Sequence, residues 1–285
     1  MITATRYRAM AEINRLSKIG AEIARAQSDI STGVRITKPS DDPIAAARVS
    51  ELRRAQGDQV VWARNIQTAK SIAAEVDQQM TNAGDIFNRV KELTLAGATE
   101  SASPSDRQAI VLELNALRTS LANIATSTTP TGQPLFPTDA PLLISTSLTQ
   151  RLAATAQRSD VFEGLTLGAG TGTLDDVIRT AAEAIAENDM ATRRTLANAS
   201  LTDVNTALSR VTDQRAAQGV RAAQLDIAAN TVEEAQTQLA EERSSLEDTD
   251  VAATIMRLNA KTLSLQAAQA AFAKVNRNTL FDFLS

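Results

Sequence analysis

The 285-residue sequence contains no cysteine and no histidine. Without cysteine there is no disulfide framework. Without both residue types, zinc, haem and iron–sulfur sites lose their usual ligands, and general acid–base chemistry loses its commonest side chain. Aromatics make up only 3%, with Trp62 and Tyr7 the sole members of their types, and 11 glycines and 7 prolines leave little material for turns. No run approaches the roughly 20 apolar residues that a membrane span needs. The start, Met1-Ile2-Thr3-Ala4-Thr5-Arg6, is not followed by a charged-then-apolar leader, so no cleaved secretion signal is expected. Lysine and arginine are spread along a chain of net charge −4 and form no patch suited to nucleic acid.

What is present is aliphatic. The hydrophobic content of 43% is carried mostly by Ala, Leu, Ile and Val. Alanine is the strongest helix former and lets helices approach closely, so few and long helices are expected. A first helix is predicted from about Thr5 to Ser31, with Ile13, Leu16, Ile23 and Ile30 spaced like a heptad seam and Gly20 and Gln27 as its weak positions. After the loop 32–39, Asp42 reads as an N-cap with Pro43 at the first helical position, opening a helix to about Ala96. Ser103-Pro104-Ser105-Asp106 opens another, to about Ala125. Helices resume at Thr173-Leu174-Asp175-Asp176, a box-like cap, and continue as a short helix to about Glu187 and a long one over about Met190–Ser244. A last helix, starting near Ser245, carries Val251, Ile255, Leu258, Thr262, Leu265, Gln269 and Phe272 in strict steps of four and three. The fold class is therefore all-α, a bundle of long antiparallel helices whose terminal helices pair like a coiled coil. Each terminal stripe is too narrow to be stable alone.

Residues 126–172 differ. They hold four of the seven prolines and a glycine cluster at Gly164, Gly168, Gly170 and Gly172, so a short outer loop or β-hairpin is expected there. Gly168-Ala169-Gly170-Thr171-Gly172 lacks both dinucleotide-loop spacing and a P-loop lysine, and reads as a flexible turn. Asp41-Asp42 and Asp175-Asp176 stand at helix starts, where exposed amides favour negative charge, so capping is the expected role rather than metal binding or acid–base work. Glu233-Glu234 and Glu241-Glu242 read as solvated helix faces. Trp62 is expected in the core and Tyr7 at a subunit contact. No convergent reactive set remains, so no enzyme activity and no cofactor are expected.

Thr32-Gly33-Val34-Arg35-Ile36, followed by Pro39-Ser40-Asp41-Asp42-Pro43-Ile44-Ala45, resembles the N-terminal signature of the flagellin family. Leu246-Glu247-Asp248-Thr249-Asp250-Val251-Ala252 and the ending Leu280-Phe281-Asp282-Phe283-Leu284 are similar to the family's C-terminal part. The Pro-Ser-Asp-Asp-Pro form and the Leu-Phe-Asp-aromatic-Leu ending resemble the hook-associated protein 3 branch, the hook–filament junction proteins, more than filament flagellins. The resemblance covers roughly 1–125 and 175–285, and leaves 126–172 little room for the larger outer domain of some relatives.

The resemblance implies five segments: an N-terminal assembly helix and loop (1–42), a helical core in two parts (43–125 and 173–245), the outer region 126–172, and a C-terminal assembly helix (246–285). It implies a structural subunit that joins hook to filament, reaching the extracellular flagellum by type III export without signal cleavage. Its partners would be the hook-side junction protein, flagellin and a cytosolic export chaperone, and it would self-associate in a ring or helical array, with no nucleic acid or membrane involved. The subunit contacts would fall on Ile13, Leu16, Ile23 and Ile30 facing Val251, Ile255, Leu258, Leu265 and Phe272, with Leu280 and Phe281 beyond them. A short flagellin that forms the filament itself is the alternative. A helical signalling module is a third reading, one that calls for the membrane span missing from this sequence.

Overall fold

The computed structural model describes the backbone of residues 2–281 and the side chains of residue 7 and residues 10–274. Seven helices dominate the described residues: α1 (Ile2–Thr32), α2 (Pro43–Gly97), α3 (Pro104–Ala125), the five-residue α4 (Arg158–Phe162), α5 (Leu174–Ala186), α6 (Met190–Glu247) and α7 (Val251–Phe281). Between α3 and α5 lie two antiparallel hairpins, β1 (Leu143–Ser145) with β2 (Arg151–Ala153) and β3 (Leu165–Leu167) with β4 (Gly170–Gly172). The fold is thus all-α with a small β insertion.

Local chemistry sets most helix ends. Asp42 accepts the Ala45 N–H at 3.1 Å, and Pro43 follows it as the first helical residue. Ser103 and Asp106 form a reciprocal capping box at the start of α3, and Thr173 and Asp176 do the same for α5. The last helix break lies further along than the sequence patterning suggests. α6 continues through Glu247, and α7 begins at Val251, where the Asp250 carboxylate accepts the Ala253 N–H at 3.0 Å. Asp250, rather than Ser245, is the residue that can cap the new turn.

The chain forms two compact units. Unit 1 comprises 1–57 and 237–285, and unit 2 comprises 58–236; α2 and α6 contribute to both. Unit 2 has a dense core in which Met80, Phe87 and Val90 of α2 meet Leu114 and Leu121 of α3, Leu174 and Ile178 of α5, and Val204 and Val211 of α6. Phe136 and Phe162, from the 126–172 region, close it edge-to-face with ring centroids 5.0 Å apart. Helices meet closely where side chains are small: a Cβ on Gly97 would stand 2.6 Å from the Ile185 Cγ2.

The glycine cluster is an ordered hairpin and not a flexible turn. Leu167 pairs with Gly170 across a two-residue connection, and Gly170 has φ +121°. The Gly168 N–H donates to Asp203 of α6 at 2.9 Å, and Arg210 of α6 donates to the carbonyls of Asp160 and Gly164. Hairpin β1–β2 is tied down similarly. The Gln218 side chain, buried in α6, donates to the carbonyls of Ala73 and Ala154, and Asn65 donates to that of Ser145. These side-chain bonds tie the hairpins to the long helices.

Candidate assembly surfaces

In unit 1, α1 and α7 pack against each other and run antiparallel. Two fixed points set their register: Lys261 meets Glu22 at 2.6 Å, and Val34 bridges Asp248. The side chains facing inward on α1 are Glu12, Leu16, Ile19, Ile23, Ala26 and Ile30, a run of threes and fours. On α7 they are Thr254, Leu258, Lys261, Thr262, Leu265, Ala268 and Phe272. The packing is thin, and among the described residues of this pair only Ile19, Ala26 and Thr254 are buried.

Of the residues singled out from the sequence, Leu16, Ile23, Ile30, Leu258, Leu265 and Phe272 lie half-buried on the inward stripes. Three others point outward. Ile13 is 54% exposed, and Val251 and Ile255 are 43% exposed each. Strict steps of three and four from Ile13 fall on Gly20 and Gln27, whereas the adjacent Ile19 and Ala26 occupy the α1 seam and Gln27 is exposed. In α7 the same bias toward large residues selected Val251 and Ile255 and passed over Thr254, and Gln269 likewise lies outside while Ala268 takes the inward place. Small or polar residues at seam positions leave a weak sequence signal; the spacing from Leu16 through Ile19, Ile23 and Ala26 to Ile30 is what could have found the α1 pair. Leu280 and Phe281 lie outside the described side chains.

The outward faces of the two helices are apolar in their own right. Tyr7 (78% exposed), Met10 and Ile13 follow one side of α1, and Val251, Ile255, Met256 and Leu263 stand exposed on α7. Exposed apolar residues grouped in this way mark interaction surfaces more often than scattered ones do.

The Pro39–Pro43 segment is a folded loop that positions this pair. Asp41 accepts the N–H groups of Thr37 and Lys38 and the Thr37 hydroxyl, and Arg25 of α1 contacts it at 2.9 Å. The Lys38 amide first, then the Thr37 hydroxyl and Arg25, hold the Asp41 carboxyl below its ordinary range. Pro39, Ser40 and Pro43 are exposed around it. The loop is stitched to the α6–α7 turn. The Arg35 N–H donates to the Glu247 carbonyl at 2.7 Å, its guanidinium donates to the Leu246 carbonyl, and the Thr249 N–H donates to the Gly33 carbonyl. Gly33 takes φ +71°, which lets α1 end sharply there. The Glu247 side chain, nearly buried, receives Arg53 at 2.5 Å and Arg243 at 3.3 Å.

The second acidic pair also does structural work. Asp175 takes a two-pronged contact from Arg118 of α3 at 2.9 and 2.7 Å. Asp176 is lowered to about 2, first by Arg179 and then by the Thr173 hydroxyl and amide. Every member of both acidic pairs is engaged with an amide or a guanidinium.

Comparison with known proteins adds a lineage to this geometry. The family model for the bacterial flagellin N-terminal helical region matches residues 4–139, and that for the bacterial flagellin C-terminal helical region matches 201–284. Together they take in well over half of the chain. The chain is 34% identical over 119 residues to flagellar hook-associated protein 3 of Salmonella typhimurium, a match spanning 41% of this chain and 37% of that one. The chain therefore covers only a little over a third of that relative's length. It is 27% identical to the flagellar filament 30.7 kDa core protein of Treponema maltophilum over 87% of this chain and 86% of that one. Among solved structures, flagellar hook associated protein-3 from Legionella pneumophila shares the fold at a TM-score of 0.65 with 11% identity, over 70% of this chain and 98% of that one.

Proposed function

Because this chain belongs to the flagellin family, we propose that it is a non-catalytic structural subunit of the bacterial flagellum that works at the hook–filament junction and polymerises through α1 and α7. The observation that carries the reading is the uncovered apolar face of the terminal pair, with Tyr7, Met10 and Ile13 on one helix and Val251, Ile255, Met256 and Leu263 on the other. Burying a large aliphatic side chain is worth roughly 1.5–3 kcal/mol, so these residues stabilise the assembled state only when neighbouring subunits cover them. The thin inward seam, with Ala26 and Thr254 among its buried members, leaves the pair dependent on that cover.

The junction role rests on the Pro39–Pro43 motif, the Leu280-Phe281-Asp282-Phe283-Leu284 ending and the match to a hook-associated relative. Its partners are then the hook-side junction protein and flagellin, with a cytosolic chaperone before type III export. A second reading has its own support: the filament core protein from Treponema maltophilum aligns along most of both chains, which suits a short filament subunit. Quantitative mass spectrometry of sheared flagella separates the two. A junction subunit is present at a small fraction of the major protein, and a filament subunit dominates. Leu258→Asp, on the inward stripe, leaves unit 2 folded and blocks incorporation, because an unpaired buried carboxylate costs several kcal/mol. Normal assembly of that variant overturns the terminal-pair mechanism.

A further inference from the structure

With no cysteine in the chain, its sulfur chemistry belongs to five methionine thioethers. Their placement is uneven. Met80 is fully buried at the centre of unit 2, Met190 is half-buried at the start of α6, and Met1 lies outside the described residues. Met10 of α1 and Met256 of α7 are instead 68% and 67% exposed. Methionine is a flexible apolar side chain that ordinarily fills gaps in a core. Here the two most open ones both fall on the outward faces of the terminal helices.

Each belongs to an apolar group. Tyr7 and Ile13, both exposed, lie one helical turn to either side of Met10. The exposed Leu263 lies two turns beyond Met256 along the same side of α7. The contact between Glu22 and Lys261 sets the antiparallel register of the two helices. Met256 precedes Lys261 by five residues and is therefore level with a point five residues beyond Glu22, whereas Met10 precedes Glu22 by twelve. At the helical rise the two positions are about 25 Å apart along the pair, so each marks a separate part of the face.

We propose that Met10 and Met256 are oxidation sites that switch the terminal face between an assembling and a non-assembling form, with hydrogen peroxide as the oxidant. The thioether sulfur attacks one peroxide oxygen and the O–O bond breaks. That oxygen stays on sulfur as a sulfoxide, its proton passes to the departing oxygen, and water leaves. Sulfur loses two electrons and peroxide gains them. Peroxide is small and uncharged and reaches both exposed thioethers, whereas Met80 is shielded by the core of unit 2. The product carries a strongly polar acceptor where an apolar group stood. In the free chain water satisfies that oxygen, so the fold is little affected. On a face that a neighbouring subunit must cover, the oxygen is desolvated and opposes the contact. Methionine sulfoxide reductases return the thioether, so the switch is reversible. The inference rests on the reading of the outward terminal faces as the assembly surface, and adds a means of regulating that surface.

The test uses purified full-length chain treated with hydrogen peroxide. Peptide mass spectrometry locates the sulfoxides, and the chain is then sedimented with flagellar remnants from a strain lacking the native chain. Met10 and Met256 are expected to oxidise ahead of Met80, with circular dichroism unchanged. Bound chain is expected to fall about ten-fold for each sulfoxide, and treatment with methionine sulfoxide reductases restores it. The double variant Met10→Leu, Met256→Leu, compared with its own untreated sample, is expected to lose nothing on peroxide treatment. Doubly oxidised native chain that binds like the untreated chain overturns the switch and leaves the proposed function standing. So does a double variant that loses binding on oxidation. If the double variant does not bind even untreated, the reductase step decides, and oxidised native chain that stays unbound after reduction overturns the switch. Untreated native chain that fails to bind the remnants overturns the proposed function, and the switch falls with it.

Discussion

Both units of this protein are built from long, alanine-rich helices, yet they spend their apolar residues differently. Unit 2 buries Phe87, Phe136, Met80, Leu114, Leu165 and Ile178 almost completely and brings helices from four parts of the chain around them. Unit 1 buries little that is large. Ile19, Val49 and Leu52 are its covered aliphatics larger than alanine among the described residues, while Tyr7, Met10, Val251, Ile255 and Leu263 stay in water. In place of a core, unit 1 joins its turns with charged and backbone contacts around Asp41 and Glu247. Composition is shared and helix type is shared, so neither explains the contrast. What differs is the number of layers. Several helices and two hairpins can enclose side chains between them, whereas the terminal pair of unit 1 meets along one inward stripe on each helix and keeps its outward faces in water.

The contrast is most strongly tested at the centre of unit 2. Phe87→Ala is expected to cost about 3–5 kcal/mol of unfolding free energy, followed by circular dichroism in a urea titration. A loss below about 1 kcal/mol would show that the unit is not held by this core. Gly97→Ala sets a new methyl group against the buried Ile185 and is expected to cost about 1–3 kcal/mol in the same titration. Unchanged stability would mean that the α2–α5 contact yields easily.

At the edge of unit 2 the expected effect is smaller. Thr173→Ala removes half of the α5 capping box and is expected to cost about 0.5–2 kcal/mol. The Asp176 carboxyl, about 2 in the folded chain against an ordinary 3.8, binds its proton less readily when folded. Its contribution is therefore fully present above about pH 4 and is lost as the pH falls toward 2. In acid titrations the Thr173→Ala chain should lose less stability across that window than the native chain does; equal losses would remove the Thr173 hydroxyl from the account and leave the lowering to Arg179 and the Thr173 amide. The partner groups are partly exposed, so added salt should blunt the effect.

The smallest change in stability, and the sharpest separation of the two units, is expected on the outward face of unit 1. Ile255→Asp should shift the unfolding midpoint by less than about 0.5 kcal/mol, since the residue is already 43% exposed, yet incorporation into flagella should be lost. Microscopy and secretion into the medium read the second effect. Normal assembly of this variant would mean that the outward face is not a contact.

Much of the fold is legible one helix at a time. Asp42-Pro43, Ser103-Pro104-Ser105-Asp106 and Thr173 through Asp176 mark helix starts correctly, because capping depends on side chains within three residues of one another. Other features were illegible for physical reasons. The α1–α7 stripe includes Ala26, Thr254 and Ala268, which no pattern of large apolar residues singles out, while Ile13, Val251 and Ile255 fit the heptad spacing and lie outside the stripe. The glycine cluster reads as loose chain until Asp203 and Arg210, some 35 to 50 residues away, pin it to α6.

The sequence by itself determined that this would be a helical, thiol-free and histidine-free chain with long amphipathic ends, since composition and short-range spacing act locally along the backbone. Only the tertiary structure decided which apolar residues are core and which are surface. Ile19 and Ile255 have similar local claims to burial, and what separates them is whether an antiparallel neighbour lies over that face.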